Sequence, residues 1–313
     1  MSQSTSQPTS RLSEISLVTA NFGEGIVLAD VLQDWFHFLG GKPGEVVFID
    51  CGSDTETQTI CWQLYQEGLI DRLQLIHPDN DDFGRDKGYI KEYTAGAVAS
   101  KPYLVLFKTD TLPYRRGHDG WLEEALDYLD RDDIFAISGA WNLPSKHRDA
   151  WDGWYFSKKC SYNFAVIKRD KFMAAAHEFA HDFILSGFTG KNPAEATDQG
   201  RYFIEVAFEK YLEQHGIDVL SKVEDINWTV FHTNTHNQLL KQVREDYLAR
   251  RNVEQFMNLG FSDKEPDPSK ARYYGLPVPQ VSFLKKLRIA FGASPLGTPW
   301  RSLKRRLPQK STP

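Results

Sequence analysis

Asp110 stands between Thr109 and Thr111, just where the apolar run Tyr103-Leu104-Val105-Leu106-Phe107 has ended. Asp50, followed by Ser53 and Asp54, closes Val46-Val47-Phe48-Ile49 in the same way, and Thr19 and Asn21 close Ile15-Ser16-Leu17-Val18. A carboxylate that follows an early strand can accept hydrogen bonds from a ribose or from a base edge. A surface turn also uses Asp, Thr and Pro, for conformational reasons. The elements that carry these groups decide between the two readings.

An unbroken apolar run like the one before Asp110 is buried on both faces, the pattern of a mostly parallel sheet covered by helices on both sides. Residues 15–20 read as a first strand. Residues 26–39 read as an amphipathic helix, with Val27, Leu28, Val31, Leu32, Trp35 and Leu39 at helical spacing and Gly40-Gly41 as its stop. Residues 45–50 form a second strand, 55–68 a helix, 73–77 a third strand and 87–100 a helix that leads into the Tyr103 run. This alternation is the signature of a doubly wound sheet, in which ligands bind outside the carboxyl ends of the strands. Further on, residues 120–129, 171–181, 207–214 and 239–258 read as helices, and 134–138, 162–167 and 218–220 as strands.

Neither G-x-G-x-x-G after the first strand nor G-x-x-x-x-G-K-[ST] occurs, so the dinucleotide and P-loop modes are excluded. Phosphates at this edge need a metal or basic side chains.

Four blocks in order, Thr19-Ala20-Asn21-Phe22, Phe48-Ile49-Asp50-Cys51-Gly52-Ser53-Asp54, Asn80-Asp81-Asp82-Phe83-Gly84 and Phe107-Lys108-Thr109-Asp110, resemble the nucleotide-sugar half of family 2, GT-A-type glycosyltransferases. The resemblance covers residues 15–232. It implies an α/β fold of GT-A (Rossmann-like) type, a mixed and mostly parallel sheet flanked by helices, with a helical and irregular C-terminal extension. It also implies a UDP-linked sugar donor, with Asp50 on the uracil or ribose and Thr19, Asn21, Ser53, Lys108, Thr109 and Asp110 around it. His77, Arg85 and Lys87 lie near the same donor edge by strand position. Asp110 falls on the second acid of the family's Asp-x-Asp, which binds Mn²⁺ or Mg²⁺ bridging the diphosphate. Lys108 stands where the first acid would be. A cation there weakens divalent binding, pairs with a phosphate itself, or swings to solvent.

In the acceptor half, Asn163-Phe164-Ala165-Val166-Ile167-Lys168-Arg169 resembles the family's acceptor strand and basic turn, and residues 205–216 its Glu-Asp helix. Counting back from Gly216, Glu205 takes the place of the general base and Ile204 that of the preceding Glu; Asp198 is the alternative base. A first-turn acid is also favoured by the helix dipole alone. The resemblance makes His232, at the end of Trp228-Thr229-Val230-Phe231-His232, a further metal ligand or diphosphate contact, with His236 a weaker candidate. The implied reaction is direct displacement with inversion at the anomeric carbon.

Composition sets the setting. Hydrophobic residues at 41% supply a core, and the three cysteines, Cys51, Cys61 and Cys160, form no CxxC pair, which suits reduced thiols in the cytoplasm. No apolar run approaches the ~20 residues of a membrane span, and the N-terminus has no apolar signal core. Ten of the 37 Lys and Arg lie from Pro268 onward with no Asp or Glu, which leaves 27 basic against 42 acidic residues before it, a net −15. The segments 281–291 and 300–307 place basic residues among apolar ones at helical spacing, suited to lying on an anionic bilayer or packing on the acidic body.

The expected organisation is a disordered 1–10, a GT-A domain over 11–235 with a nucleotide-sugar half (11–115) and an acceptor half (116–235), and a basic extension over 236–313. The expected function is transfer of a sugar to a hydroxyl of a glycan or lipid-linked acceptor, in polysaccharide biosynthesis, by a cytoplasmic protein peripheral to the membrane. The alternatives are a non-catalytic nucleotide-sugar or carbohydrate-binding module on the same fold and a nucleotidyltransferase. The acidic body argues against nucleic acid.

Overall fold

Three successive apolar runs fold into strands buried along their whole length: β1 (Ile15–Asn21), β2 (Glu45–Cys51) and β4 (Tyr103–Phe107). The computed structural model describes residues 11–76, 88–139, 146–181, 184, 204–223, 225–233 and 235–251. All of these belong to one of the two compact units into which the chain divides, the unit ending at Leu276. The proposed bilayer-binding segments lie outside the described residues.

The remaining strands are β3 (Arg72–Ile76), β5 (Thr111–Arg115), β6 (Ile134–Ser138), β7 (Lys146–Asp149), β8 (Trp154–Ser157), β9 (Phe164–Lys168), β10 (Asp218–Lys222) and β11 (Trp228–His232). The helices among the described residues are α1 (Leu28–Leu39), α2 (Thr55–Gln66), α3 (Gly88–Val98), α4 (Trp121–Leu129), α5 (Arg169–Phe179), α6 (Ile204–His215) and α7 (Asn237–Leu248). A 3-10 turn, Arg11–Glu14, precedes β1. Among the described residues no helix is long and apolar enough to cross a membrane.

Nine strands form one sheet in the order β3-β2-β1-β4-β9-β6-β10-β8-β7. Only β9 and β8 run against the other seven, so the sheet is mixed and mostly parallel, as expected. Side chains on successive strand residues go to opposite faces, and two cores result. One holds Leu17, Phe48, Val105 and Phe107 under α1, α4 and α7. The other holds Val18, Ile49, Leu104 and Leu106 under α3, α5 and α6. From β1 the chain moves outward to β3 and then returns to β4 on the other side of β1, so the switch in strand order falls between β1 and β4. Crevices form at such points.

The α1 stop occurs where Gly40-Gly41 predicts it. Gly40 takes a φ of 95°, and its N–H and that of Gly41 both reach the Phe36 carbonyl, at 3.0 and 2.7 Å. The left-handed conformation is what glycine permits at a helix C-terminus. Arg244 of α7 grips Asp34 of α1 with two hydrogen bonds of 2.5 and 2.8 Å, fixing the last described helix on this face.

Two features go beyond the sequence expectation. β9 is antiparallel and inserted between β4 and β6. The residues after Asp110 form β5, which pairs with β11 in a separate ribbon that sets His232 beside Thr111.

Candidate functional site

Register places the groups that close β1 and β2 side by side, because Asn21 is the partner of Asp50 in the parallel ladder. The Asp50 carboxylate is fully buried. It accepts hydrogen bonds from Asn21 Nδ2 (3.1 Å), from the Ser53 N–H (3.0 Å), from the Ser53 hydroxyl and from Gln58 Nε2 (3.4 Å). Ser53 Oγ in turn accepts the Gly23 N–H at 2.8 Å, which ties the turn after β2 to the loop after β1. Thr109 Oγ1 donates to Asn21 Oδ1 at 3.4 Å and extends the network to the end of β4. Asp50, Ser53, Asn21 and Thr109 are thus one buried polar cluster, as a carboxylate out of water requires.

Two residues of the same blocks serve the fold. Thr19 donates its hydroxyl to the Phe107 carbonyl at 2.9 Å, inside the sheet. Asp54 caps α2, accepting the Thr57 N–H at 2.8 Å, a role open to an acid at any helix start.

Asp110 meets His232. Oδ2 lies 3.1 Å from His232 Nε2, and both side chains are 11% exposed. The Asp110 carbonyl accepts the Thr233 N–H and hydroxyl, each at 2.9 Å, which locks the end of β11 to the turn after β4. Burial pushes the Asp110 carboxyl up. The His232 hydrogen bond and the nearby charges of His232, Lys108 and His236 outweigh it and hold the group below the ordinary carboxylate range. The other imidazole nitrogen, Nδ1, lies 3.0 Å from Asn163 Nδ2. Asn163 is itself buried, and its Oδ1 has no hydrogen-bond partner among the described residues.

Lys108 has its backbone pinned on both sides. Its N–H donates to the Asn163 carbonyl at 3.4 Å, and its carbonyl accepts the Thr111 N–H at 2.9 Å. Its side chain is half-buried and joins no ion pair among the described residues.

Glu205, in the first turn of α6, reaches the same corner from the opposite core. Its Oε1 accepts the Tyr162 N–H at 3.3 Å, one residue from Asn163. Tyr162 is fully buried; burial pushes its hydroxyl well up, and Glu92 and Glu205 add to that. Asp198, His77, Arg85 and Lys87 lie outside the described residues.

Two contributors were not legible as site groups. Glu24, buried in the loop after β1, pairs with His236 Nδ1 and accepts the Asn237 N–H at 3.0 Å. It therefore holds His236 at the helix start. Asn163 is named by the sequence only as a strand residue. Its place at the ligand edge depends on β9 running backwards, which puts the start of that strand beside the end of β4.

The Mn²⁺ or Mg²⁺ implied for Asp110 and His232 does not fit the side chains around it. Divalent hard cations take several oxygen ligands, and imidazole binds a metal through a lone pair. Here one Asp110 oxygen is taken by His232, both imidazole nitrogens are engaged, and Lys108 stands two residues away. Among the described residues no group of three His, Cys, Asp or Glu could hold a metal ion.

No family model and no curated protein matches the chain. Among solved structures it is similar to mannosyltransferase PcManGT from Pyrobaculum calidifontis in complex with GDP-Man and Mn²⁺, at 13% identity over 93% of this chain and 84% of that one, with a TM-score of 0.46. It is also similar to GalNAc-T7 with UDP, GalNAc and Mn²⁺, at 12% identity over 93% of this chain and 56% of that one, with a TM-score of 0.45.

Proposed function

We propose that the chain is a glycosyltransferase. In this reading it moves a sugar from a nucleotide-sugar donor, UDP-linked, to a hydroxyl of a glycan or lipid-linked acceptor, with inversion by direct displacement. One observation carries it. The Asn21–Asp50–Ser53 cluster and the Asp110–His232 pair flank the β1/β4 switch point, and Glu205 reaches the neighbouring segment from a third direction.

The donor nucleoside takes the β1–β2 side. The Asp50 bond to Gln58 is the longest of its four at 3.4 Å, and a ribose hydroxyl or base N–H takes over that acceptor position. The diphosphate takes the β4 side, next to Lys108. Glu205 is the base: its carboxylate removes the proton of the acceptor hydroxyl as that oxygen attacks the anomeric carbon, and the bond to the nucleoside diphosphate breaks. The backbone N–H of Tyr162 positions the carboxylate for this. The basic C-terminal segment, outside the described residues, docks the protein on an anionic membrane carrying a lipid-linked acceptor.

Hydrolysis of a panel of UDP- and GDP-sugars, read as free nucleoside diphosphate, tests the reading. Slow turnover of one donor is expected, accelerated by its acceptor. A panel that neither binds nor turns over leaves a binding module of another kind. Liposome flotation with and without residues 280–313 tests the docking, and equal flotation removes it.

A further inference from the structure

Asn163 decides what His232 can do. An amide nitrogen only donates, so with Asn163 Nδ2 at 3.0 Å the imidazole Nδ1 must accept, and the ring proton sits on Nε2, which donates to Asp110 Oδ2 at 3.1 Å. Were the Asn163 amide turned over, Nδ1 would have to donate to Oδ1 and the ring would be a cation. In neither arrangement does His232 offer a lone pair outward, and in both it occupies one oxygen of Asp110.

Lys108 lies beside that closed pair with its backbone pinned on both sides and its side chain in no ion pair among the described residues. Asp110 is the carboxylate it stands nearest in sequence, and that carboxylate's charge is already shared with His232. An ammonium in this position repels a divalent cation and attracts a phosphate oxygen.

We infer that this edge holds a nucleoside diphosphate through the Lys108 ammonium, without a divalent metal, and that Asn163 is a positioning residue that fixes His232 as a donor to Asp110. The inference rests on the donor reading above and assigns its phosphate contact. Lys108 takes the phosphate oxygen, the Asp110–His232 pair holds the turn that carries it, and Asn163 sets the direction of the hydrogen-bond chain.

The test is calorimetric binding of UDP and GDP to the metal-stripped full chain, once in excess EDTA and once with Mn²⁺. Affinity for at least one nucleotide is expected to be equal in the two arms within about threefold. Lys108→Ala is expected to weaken it by about tenfold to a hundredfold, the worth of a charge-assisted hydrogen bond, and Lys108→Arg to restore most of it. Lys108→Asp is expected to bind only with Mn²⁺. The imidazole ¹⁵N spectrum reports the second half: Nδ1 should carry the lone pair, or both nitrogens a proton, and Asn163→Ala should turn that single state into a mixture. Binding that requires Mn²⁺ in the unaltered protein overturns the metal-free contact. A lone pair on Nε2 overturns the role of Asn163. If neither nucleotide binds in either arm, the donor reading itself falls, and this inference with it.

Discussion

The Glu24 carboxylate accepts the backbone N–H of Asn237 at 3.0 Å across 213 positions of sequence. An acid from the loop after the first strand thus caps the last described helix, α7, and also holds the His236 imidazole just before it. Helix starts leave their first N–H groups without partners, and a carboxylate there answers both the hydrogen bond and the dipole.

Replacing that acid should therefore loosen a helix far from it in sequence. Glu24→Ala is expected to lower stability by about 1–2 kcal/mol, and Glu24→Gln, which keeps an acceptor oxygen, by less. Urea denaturation measures both, and an unchanged midpoint for Glu24→Ala would show that the cap adds nothing.

At the proposed base, Glu205→Gln keeps size and an acceptor oxygen for the Tyr162 N–H but cannot take a proton. Turnover is expected to fall by about 10²–10⁴-fold, with donor affinity changed little. Steady-state transfer together with donor binding separates the two quantities. Transfer at the unaltered rate would pass the role to another group, Asp198 first.

Glu45 makes stability depend on pH. This acid, buried at the start of β2, accepts from Ser16 Oγ (2.5 Å), from the Ser100 N–H (2.7 Å), from Ser100 Oγ (2.9 Å) and from Arg72. Burial pushes its carboxyl up, but these bonds outweigh burial and bring it below its ordinary value. A depressed carboxyl adds stability that is fully present above its unfolded pKa of about 4.3 and is lost as pH falls through the folded value. The stability gap between the unaltered protein and Glu45→Gln should thus be widest near neutrality and narrow below pH of about 4. A gap constant with pH, in urea denaturation across that range, contradicts this.

Gly96 tests packing against propensity. Alanine in mid-helix would ordinarily help by about 1 kcal/mol, yet a Cβ at Gly96 of α3 would enter the ring of Phe172, itself fully buried in α5. Overpacking of this kind costs about 1–3 kcal/mol. Gly96→Ala is therefore expected to be destabilising, and a raised melting temperature would mean that the α3–α5 contact gives way easily.

The strands that end at the candidate site were legible because each writes its own burial: β1, β2 and β4 are apolar runs with no exposed residue. The α1 helix and its Gly40-Gly41 stop were equally plain. What could not be read was anything set by direction or by distant pairing. Residues 162–167 look the same as a parallel or an antiparallel strand, so the place of Asn163 beside Lys108 had no signal. Asp54 and Asp50 close the same block of sequence, yet one caps a helix on the surface and the other joins a buried polar cluster. Glu24 is a lone acid in a loop, and only the arrival of α7 gives it a partner.

The insertion of β9 between β4 and β6 has a consequence for how the chain can be assembled. The first 115 residues hold β1 to β5, yet the fully buried Tyr103–Phe107 strand finishes its hydrogen bonding only when Phe164–Lys168 arrives, and β5 only when Trp228–His232 does. An emerging or truncated N-terminal half therefore carries an apolar strand with one bare edge, the template on which other chains pair. Residues 11–115 and the strands that follow them are thus a single unit of folding, closed by pairings between strands far apart in sequence.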